Sequence, residues 1–520
     1  MLRHLFWVLL LLRLGLGLCP GAPDDPVGFA IVQRPWFETH SAHFNLYSCG
    51  APQDVNKLAA RLEQFREAYT LLAGTQAVAS PPIVAVAFPD VESMQPFLPL
   101  YQGKPQNLAG LFKRDRDENL IVLALRDTNS AFTGMGVIFH EYAHLLFRRN
   151  ACIWPLWLQE GMAEVYSTFE TSGYIVRIGR PIEAHLRLLA QRPLPPLRRL
   201  FGVTRESPEY NDRERQGMFY AQSWLLTHYL MAGGSLAFQT RFGRFTTLLH
   251  EGQVPEQAFT NALQTSLPAM EDALRRYLER GEFEPIQWAL PMDLSAPRML
   301  TTRGLTPGET CFRLGNVLLR LGRLDSAESF FERARKLAPE SPLPHEGLGL
   351  LAEQRKQREV ALREMQEAVR RGSTNFLAHF IYGRERYRLT EDAQGRHSPL
   401  KKVQAAEMRR VLQRPVALMP DFGPGHQLLG FFETVQGENL AAAEQHLRRA
   451  VELEPENQSY LISLAQVQMR KGDSDAARRT IGPLLLPSVE AELREHAQEL
   501  MQELDPDRSR RTGRTRPGRK

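Results

Sequence analysis

Two histidines stand four residues apart in "HEYAH", His140 and His144, and Glu141 follows the first directly. A helix turns every 3.6 residues, so two such histidines face one way, one turn apart, and can share one zinc ion. Glu141 lies one residue round the cylinder. In H-E-x-x-H proteins that residue does not bind the metal but serves as general base toward the water. A second candidate segment follows, "WLQEGMAEVY", with Glu160 and Glu164 one turn apart on one helix face. Three protein ligands and an open position for water make the catalytic zinc pattern. Glu160 is the candidate third ligand. Glu164 can hydrogen-bond a ligand histidine and fix its tautomer. The plainer alternative is two hydrogen-bonded histidines on one buried helix and two solvated glutamates on another.

Elements able to hold these residues surround them. "VIFHEYAHLL" lacks Gly and Pro and carries Val137, Ile138, Tyr142, Leu145 and Leu146 at helical spacing. Pro155 suits the first turn of the next helix. "PPIVAVAFPD" reads as a buried strand, and "LAGLFKRDRDENLIVLAL" as two strands joined by a charged turn. "GMFYAQSWLLTHYLMAGG" reads as a helix with a glycine stop.

"HEYAH" followed by "WLQEGMAE" resembles the gluzincin metallopeptidases, and most of all their peptidase-MA-like bacterial branch. The resemblance spans roughly residues 30 to 285 and is specific at these two segments. It implies an α+β catalytic domain, a mixed sheet followed by a helical subdomain. "SAHFNLYS" matches a family strand, followed by a long helix from about Gln53 to Leu72. The "WLxEG" context makes Glu160 the third zinc ligand and Glu164 the acid behind a ligand histidine. The longer thermolysin-like spacing selects Glu164 instead, so the two could be exchanged. In gluzincins an edge strand beside the active-site helix pairs with the substrate backbone, and Asn119 to Leu125 is the expected strand. A tyrosine on a later helix donates to the oxyanion of the tetrahedral intermediate. Tyr220 matches that place best, with Tyr229 and Tyr210 as rivals. The Gly-x-Met-Glu-Asn stretch of related aminopeptidases is absent, which removes the main reason to expect aminopeptidase action.

Composition agrees with a soluble globular chain of about three domains: 520 residues, 43% hydrophobic and 24% charged. The net charge of +5 resides in the tail "DPDRSRRTGRTRPGRK", which has seven basic and two acidic residues. The rest is balanced, so nothing points to a nucleic-acid face. Arg3 and the apolar run ending at Leu18 predict an export signal, with a periplasmic or extracellular mature chain and no membrane span. Cys19 invites a lipoprotein reading, but Leu18 stands where such signals carry a small residue. The remaining cysteines, Cys49, Cys152 and Cys311, are far apart and read as buried thiols.

The second half has a different grammar. Leu314, Gly315, Gly322, Ala327, Phe331, Ala334 and Pro339 fall at tetratricopeptide spacings. A shift by the repeat's 34-residue period reaches Leu348, Gly349, Ala361 and Ala368. Gly383 continues the series, and after an insertion further copies fall around Gly430, Ala443, Ala450 and Pro455, and Ala465, Gly472 and Ala477. The pattern predicts about five stacked helix pairs, an all-α solenoid offering a concave surface to a peptide or protein. The expected organisation is a signal at 1–22, a metallopeptidase domain at 23–290, a linker at 291–307, repeats at 308–486, and a terminal helix with a disordered basic tail at 487–520. The expected function is zinc-dependent hydrolysis of peptide bonds using Zn2+, His140, His144, Glu160, Glu141 and Tyr220, with Glu164 behind them. The competing expectation is an inactive peptidase-like scaffold that binds protein partners through its repeats.

Overall fold

The computed structural model describes residues 29–73, 83–101, 104–105, 108, 110–115, 118–126, 134–147, 154–233, 236–294, 299–486 and 489–504. The export-signal reading, Cys19, Cys152 and the basic tail lie outside these residues. Of the other two cysteines, Cys311 is buried and Cys49 is partly exposed. The chain divides into two compact units, Met1–Ser326 and Ala327–Lys520. No described helix is long and apolar enough to cross a membrane.

The first unit contains a six-stranded mixed sheet. Its strand order is Thr301–Gly304, Phe37–His40, Phe44–Ser48, Ile83–Asp90, Asn119–Arg126, Gly110–Arg114. Ile83–Asp90 pairs in parallel with both neighbours, and its first six residues are all buried. This is the pattern a continuous Val/Ile/Ala run produces when both faces of a strand are covered. The helix Pro52–Ala73 packs on this sheet and on the helix carrying the histidines, through a stacked Phe65–Phe139 pair with ring centroids 4.6 Å apart.

Two expectations are corrected here. Asn119–Leu125 is not an edge strand. It hydrogen-bonds to Ile83–Asp90 on one side and to Gly110–Arg114 on the other, so its backbone groups are already satisfied. The edge is Gly110–Arg114, which is less apolar and only partly buried. The stretch 291–307 is not a plain linker either. Thr301–Gly304 closes the opposite edge of the sheet by antiparallel pairing with Phe37–His40. Arg303 secures it with ion pairs to Glu38 and Glu309.

The helix Pro307–Arg320, which opens the repeats, belongs to the first compact unit. Arg320 is buried, its Nε donating to Glu118 Oε1 at 2.8 Å and its Nη1 lying 2.8 Å from Asp115 Oδ2. Asn316 also donates to Glu118, and the Lys113 ammonium donates to the Arg320 carbonyl. These acidic groups sit at the turn between the last two sheet strands. Removing one partner of a buried ion pair leaves an uncompensated charge. Arg320→Ala is therefore expected to destabilise the first unit by about 3 kcal/mol, read from its transition in denaturant unfolding of the full chain. An unchanged midpoint would show that Asn316 and Arg313, whose Nη1 lies 3.5 Å from Glu118 Oε2, suffice for Glu118.

Helix pairs then follow through the second unit: Leu343–Gln354 with Arg358–Arg370, Phe376–Arg388 with Lys402–Leu418, Gly423–Gln436 with Leu440–Leu453, and Ser459–Arg470 with Ser474–Ile481. A last helix, Ala491–Glu503, packs against the final pair. The small residues mark close crossings. A Cβ on Gly430 would lie 2.6 Å from Leu447 Cγ, and one on Gly349 would lie 2.8 Å from Met365 Cε. The insertion after Phe376–Arg388 is ordered by His397, whose ring stacks 3.9 Å from that of Tyr387.

Candidate metal centre

Three helices build the site. The histidine helix, Gly134–Leu146, buries Ile138, Phe139, Tyr142, Ala143, Leu145 and Leu146 in the core. That face fixes its rotation, and His140 and His144 emerge on another side. The glutamate helix, Leu156–Ser167, is buried along its whole length. A helix with no solvent face cannot adjust its glutamates by drifting outward, so Glu160 and Glu164 are 4% and 6% exposed. Gly161 explains how the third helix, Arg213–His228, comes so close. A methyl group at Gly161 would overlap the Thr227 hydroxyl and the Ser223 carbonyl.

The two histidines meet one of the glutamates. His144 Nε2 lies 3.2 Å from His140 Nε2 and 3.1 Å from Glu160 Oε2, and His140 Nε2 lies 3.4 Å from the same oxygen. These are the described residues whose ligand atoms converge closely enough for a metal ion. Glu164 is turned differently. Its Oε1 lies 3.5 Å from His140 Nδ1, behind the ring, and its Oε2 lies 3.2 Å from His185 Nε2. The spacing of the sequence brought Glu160 and Glu164 to one face, and only the packing separates them into front and back of His140.

Of the three tyrosines, two reach the site. Tyr210 donates to Glu160 Oε1 at 3.2 Å. The Tyr220 ring centroid lies 6.0 Å from that of His140, and its hydroxyl is buried with no well-directed hydrogen bond among the described residues. Tyr229 packs instead against Phe238 and Tyr277, away from the histidines, and is no longer a rival. A cleft of about 340 Å3 opens beside the cluster, lined by Val137, His140, Glu141, Glu164, His185 and Tyr220 among others.

His185 was not found by reading the sequence. It lies on the short helix Glu183–Gln191 and is 5% exposed. The only local signal is its i,i+4 spacing from buried Leu189, which looks like an ordinary apolar stripe.

Electrostatics follow the geometry. Burial works against charge on Glu160, but the flanking imidazoles of His144 and His140 outweigh it and hold the carboxyl well below its usual range. Burial likewise opposes charge on His140; the carboxylates of Glu164, Glu160 and Glu141 outweigh it and raise the imidazole to about 9. Glu164 is held low by His140 and His185 against its burial. Burial and then the Glu160 charge push Tyr220 far up, so its hydroxyl keeps its proton at neutral pH. A pocket that gathers carboxylates around two imidazoles in this way favours a positive charge at its centre.

Comparison with known proteins concerns the other half of the chain. Tetratricopeptide family models match residues 308–341 and 435–482. The chain carries tetratricopeptide repeats. Neither match reaches the histidine and glutamate helices, and no curated protein matches the chain. Among solved structures, YrrB, a tetratricopeptide protein with an unusual peptide-binding site, is 17% identical; the match covers 36% of this chain and 90% of that one, with a TM-score of 0.30. A thermophilic tetratricopeptide protein of Thermus thermophilus is 25% identical over 37% of this chain and 98% of its own, with a TM-score of 0.27. Residues 41 to the end of MamA from Desulfovibrio magneticus match at 18% identity over 38% and 97%, with a TM-score of 0.27.

Proposed function

We propose that the first unit is a zinc-dependent peptidase and that the repeats bind a protein or peptide partner. One observation carries the first part. In a tetrahedral site with zinc–nitrogen and zinc–oxygen distances of about 2.0–2.1 Å, neighbouring ligand atoms stand roughly 3.3 Å apart. The three distances among His140 Nε2, His144 Nε2 and Glu160 Oε2 are 3.2, 3.1 and 3.4 Å. Two imidazole nitrogens and one carboxylate oxygen also form a catalytic zinc donor set. Zinc held there would act as a Lewis acid, bringing water into reach of deprotonation at neutral pH and polarising a carbonyl.

The chain's own groups would do the rest. Glu141, in the wall of the cleft, takes a proton from the attacking water and delivers it to the leaving nitrogen. Tyr220, kept protonated, donates to the oxygen on which negative charge develops. Tyr210 fixes the carboxylate of Glu160 by its hydrogen bond. Glu164 Oε1 lies 3.5 Å from His140 Nδ1, behind the ring, where it would favour the proton on Nδ1 and so leave Nε2 to a metal ion. Gly110–Arg114 takes the place first given to Asn119–Leu125 as the strand for a substrate backbone. Its outer edge has no strand partner among the described residues, and a Cβ on Gly110 would lie 3.4 Å from the Gly134 carbonyl of the histidine helix.

The purified chain should hold about one zinc and cleave members of a diverse peptide library, with activity lost to a chelator and restored by zinc. Wild-type protein that takes up no zinc even when it is supplied would end this reading. The second reading, a scaffold acting through its repeats alone, is favoured by the repeat matches. It expects protein binding without any hydrolysis.

A further inference from the structure

We propose that His185 is a positioning residue for the metal site, holding the outer oxygen of Glu164 so that the inner oxygen is presented to His140. The proposal rests on the zinc reading above and extends it by one layer. Glu164 divides its oxygens between two imidazoles, Oε1 toward His140 Nδ1 at 3.5 Å and Oε2 toward His185 Nε2 at 3.2 Å. A carboxylate with one partner can still rotate about its last bond. An imidazole in ion-pair contact with each oxygen limits that rotation, and with it the orientation of the His140 ring. His185 is itself held. It is buried on Glu183–Gln191, and its ring centroid lies 6.2 Å from that of Trp224 on Arg213–His228. That is the same helix that crosses Leu156–Ser167 closely at Gly161. Glu164 and His185 therefore take their positions from one packed junction. Both also line the cleft, so their alignment is felt where a substrate would lie.

Zinc affinity of the full chain, measured by competition with a chromophoric chelator after metal removal, tests this without any substrate. His185→Ala should weaken zinc by about 10-fold, the lower end for loss of a partner behind the ligands. His185→Gln, whose amide N–H can still reach the carboxylate, should recover most of it. Glu164→Gln should remove the effect at its source, so adding His185→Ala to it should weaken zinc no further. The visible band of the cobalt-substituted protein should change in His185→Ala and return in His185→Gln. If His185→Ala does not fold, His185→Asn, with a shorter amide, is compared with His185→Gln in the same way. Wild-type affinity in a folded Ala or Asn variant overturns the positioning role and leaves the zinc reading standing. So do losses that multiply in the double variant. A wild-type chain that binds no zinc overturns both.

Discussion

Glu141→Gln is expected to keep zinc and lose hydrolysis by about 10²- to 10⁴-fold, the usual worth of a positioned general base. Glu141 lines the cleft beside the cluster but is not among the three residues whose ligand atoms converge. The substitution conserves shape and removes only the proton acceptor. Metal analysis and initial rates on the same preparation check it. Loss of zinc together with activity would mean that Glu141 belongs to the ligand set. Full activity would remove proton transfer through Glu141, and with it the proposed course of the reaction.

The exchange test between Glu160 and Glu164 should give the second large effect. Both are buried on one helix, and Gln nearly matches Glu in volume, so packing is preserved in each variant. Glu160→Gln removes the carboxylate that lies within 3.4 Å of both Nε2 atoms. It should weaken zinc far more than Glu164→Gln, for which a loss of roughly 10- to 100-fold is expected. Zinc affinities of the two variants, with circular dichroism to confirm folding, decide the assignment. The opposite ranking would make Glu164 the ligand and place Glu160 behind it.

The difference between these glutamates shows where sequence reading stops. A period of 3.6 residues puts both on one face, but it cannot say which reaches a neighbouring helix from the front. That depends on the crossing of Leu156–Ser167 over Gly134–Leu146, which long-range packing sets. The same limit explains Tyr210 and His185. Tyr210 stands 50 residues from Glu160, and His185 stands 21 residues from Glu164. No local pattern links them. The strand Asn119–Arg126 was legible as a strand from its apolar run, but its place in the sheet was not. Its six buried leading residues are what a doubly covered strand requires, and the partly buried Gly110–Arg114 forms the edge instead. Thr301–Gly304 carried no apolar signal because all four of its residues are exposed; it is a strand only because Phe37–His40 offers a free edge.

By itself the sequence determined what depends on short-range spacing. The helical register of His140, Glu141 and His144 follows from the period of one helix, and the repeats follow from small residues recurring where neighbouring helices cross. Such features need only contacts between residues close in the chain. Tertiary structure decided the rest: which carboxylate faces the two Nε2 atoms, which tyrosines reach them, which strand is the edge, and that Pro307–Arg320 joins the sheet unit through Arg320 and Glu118. Each of these is settled by the burial of groups far apart in sequence, where the cost of leaving a charge or a backbone donor unpaired selects one arrangement.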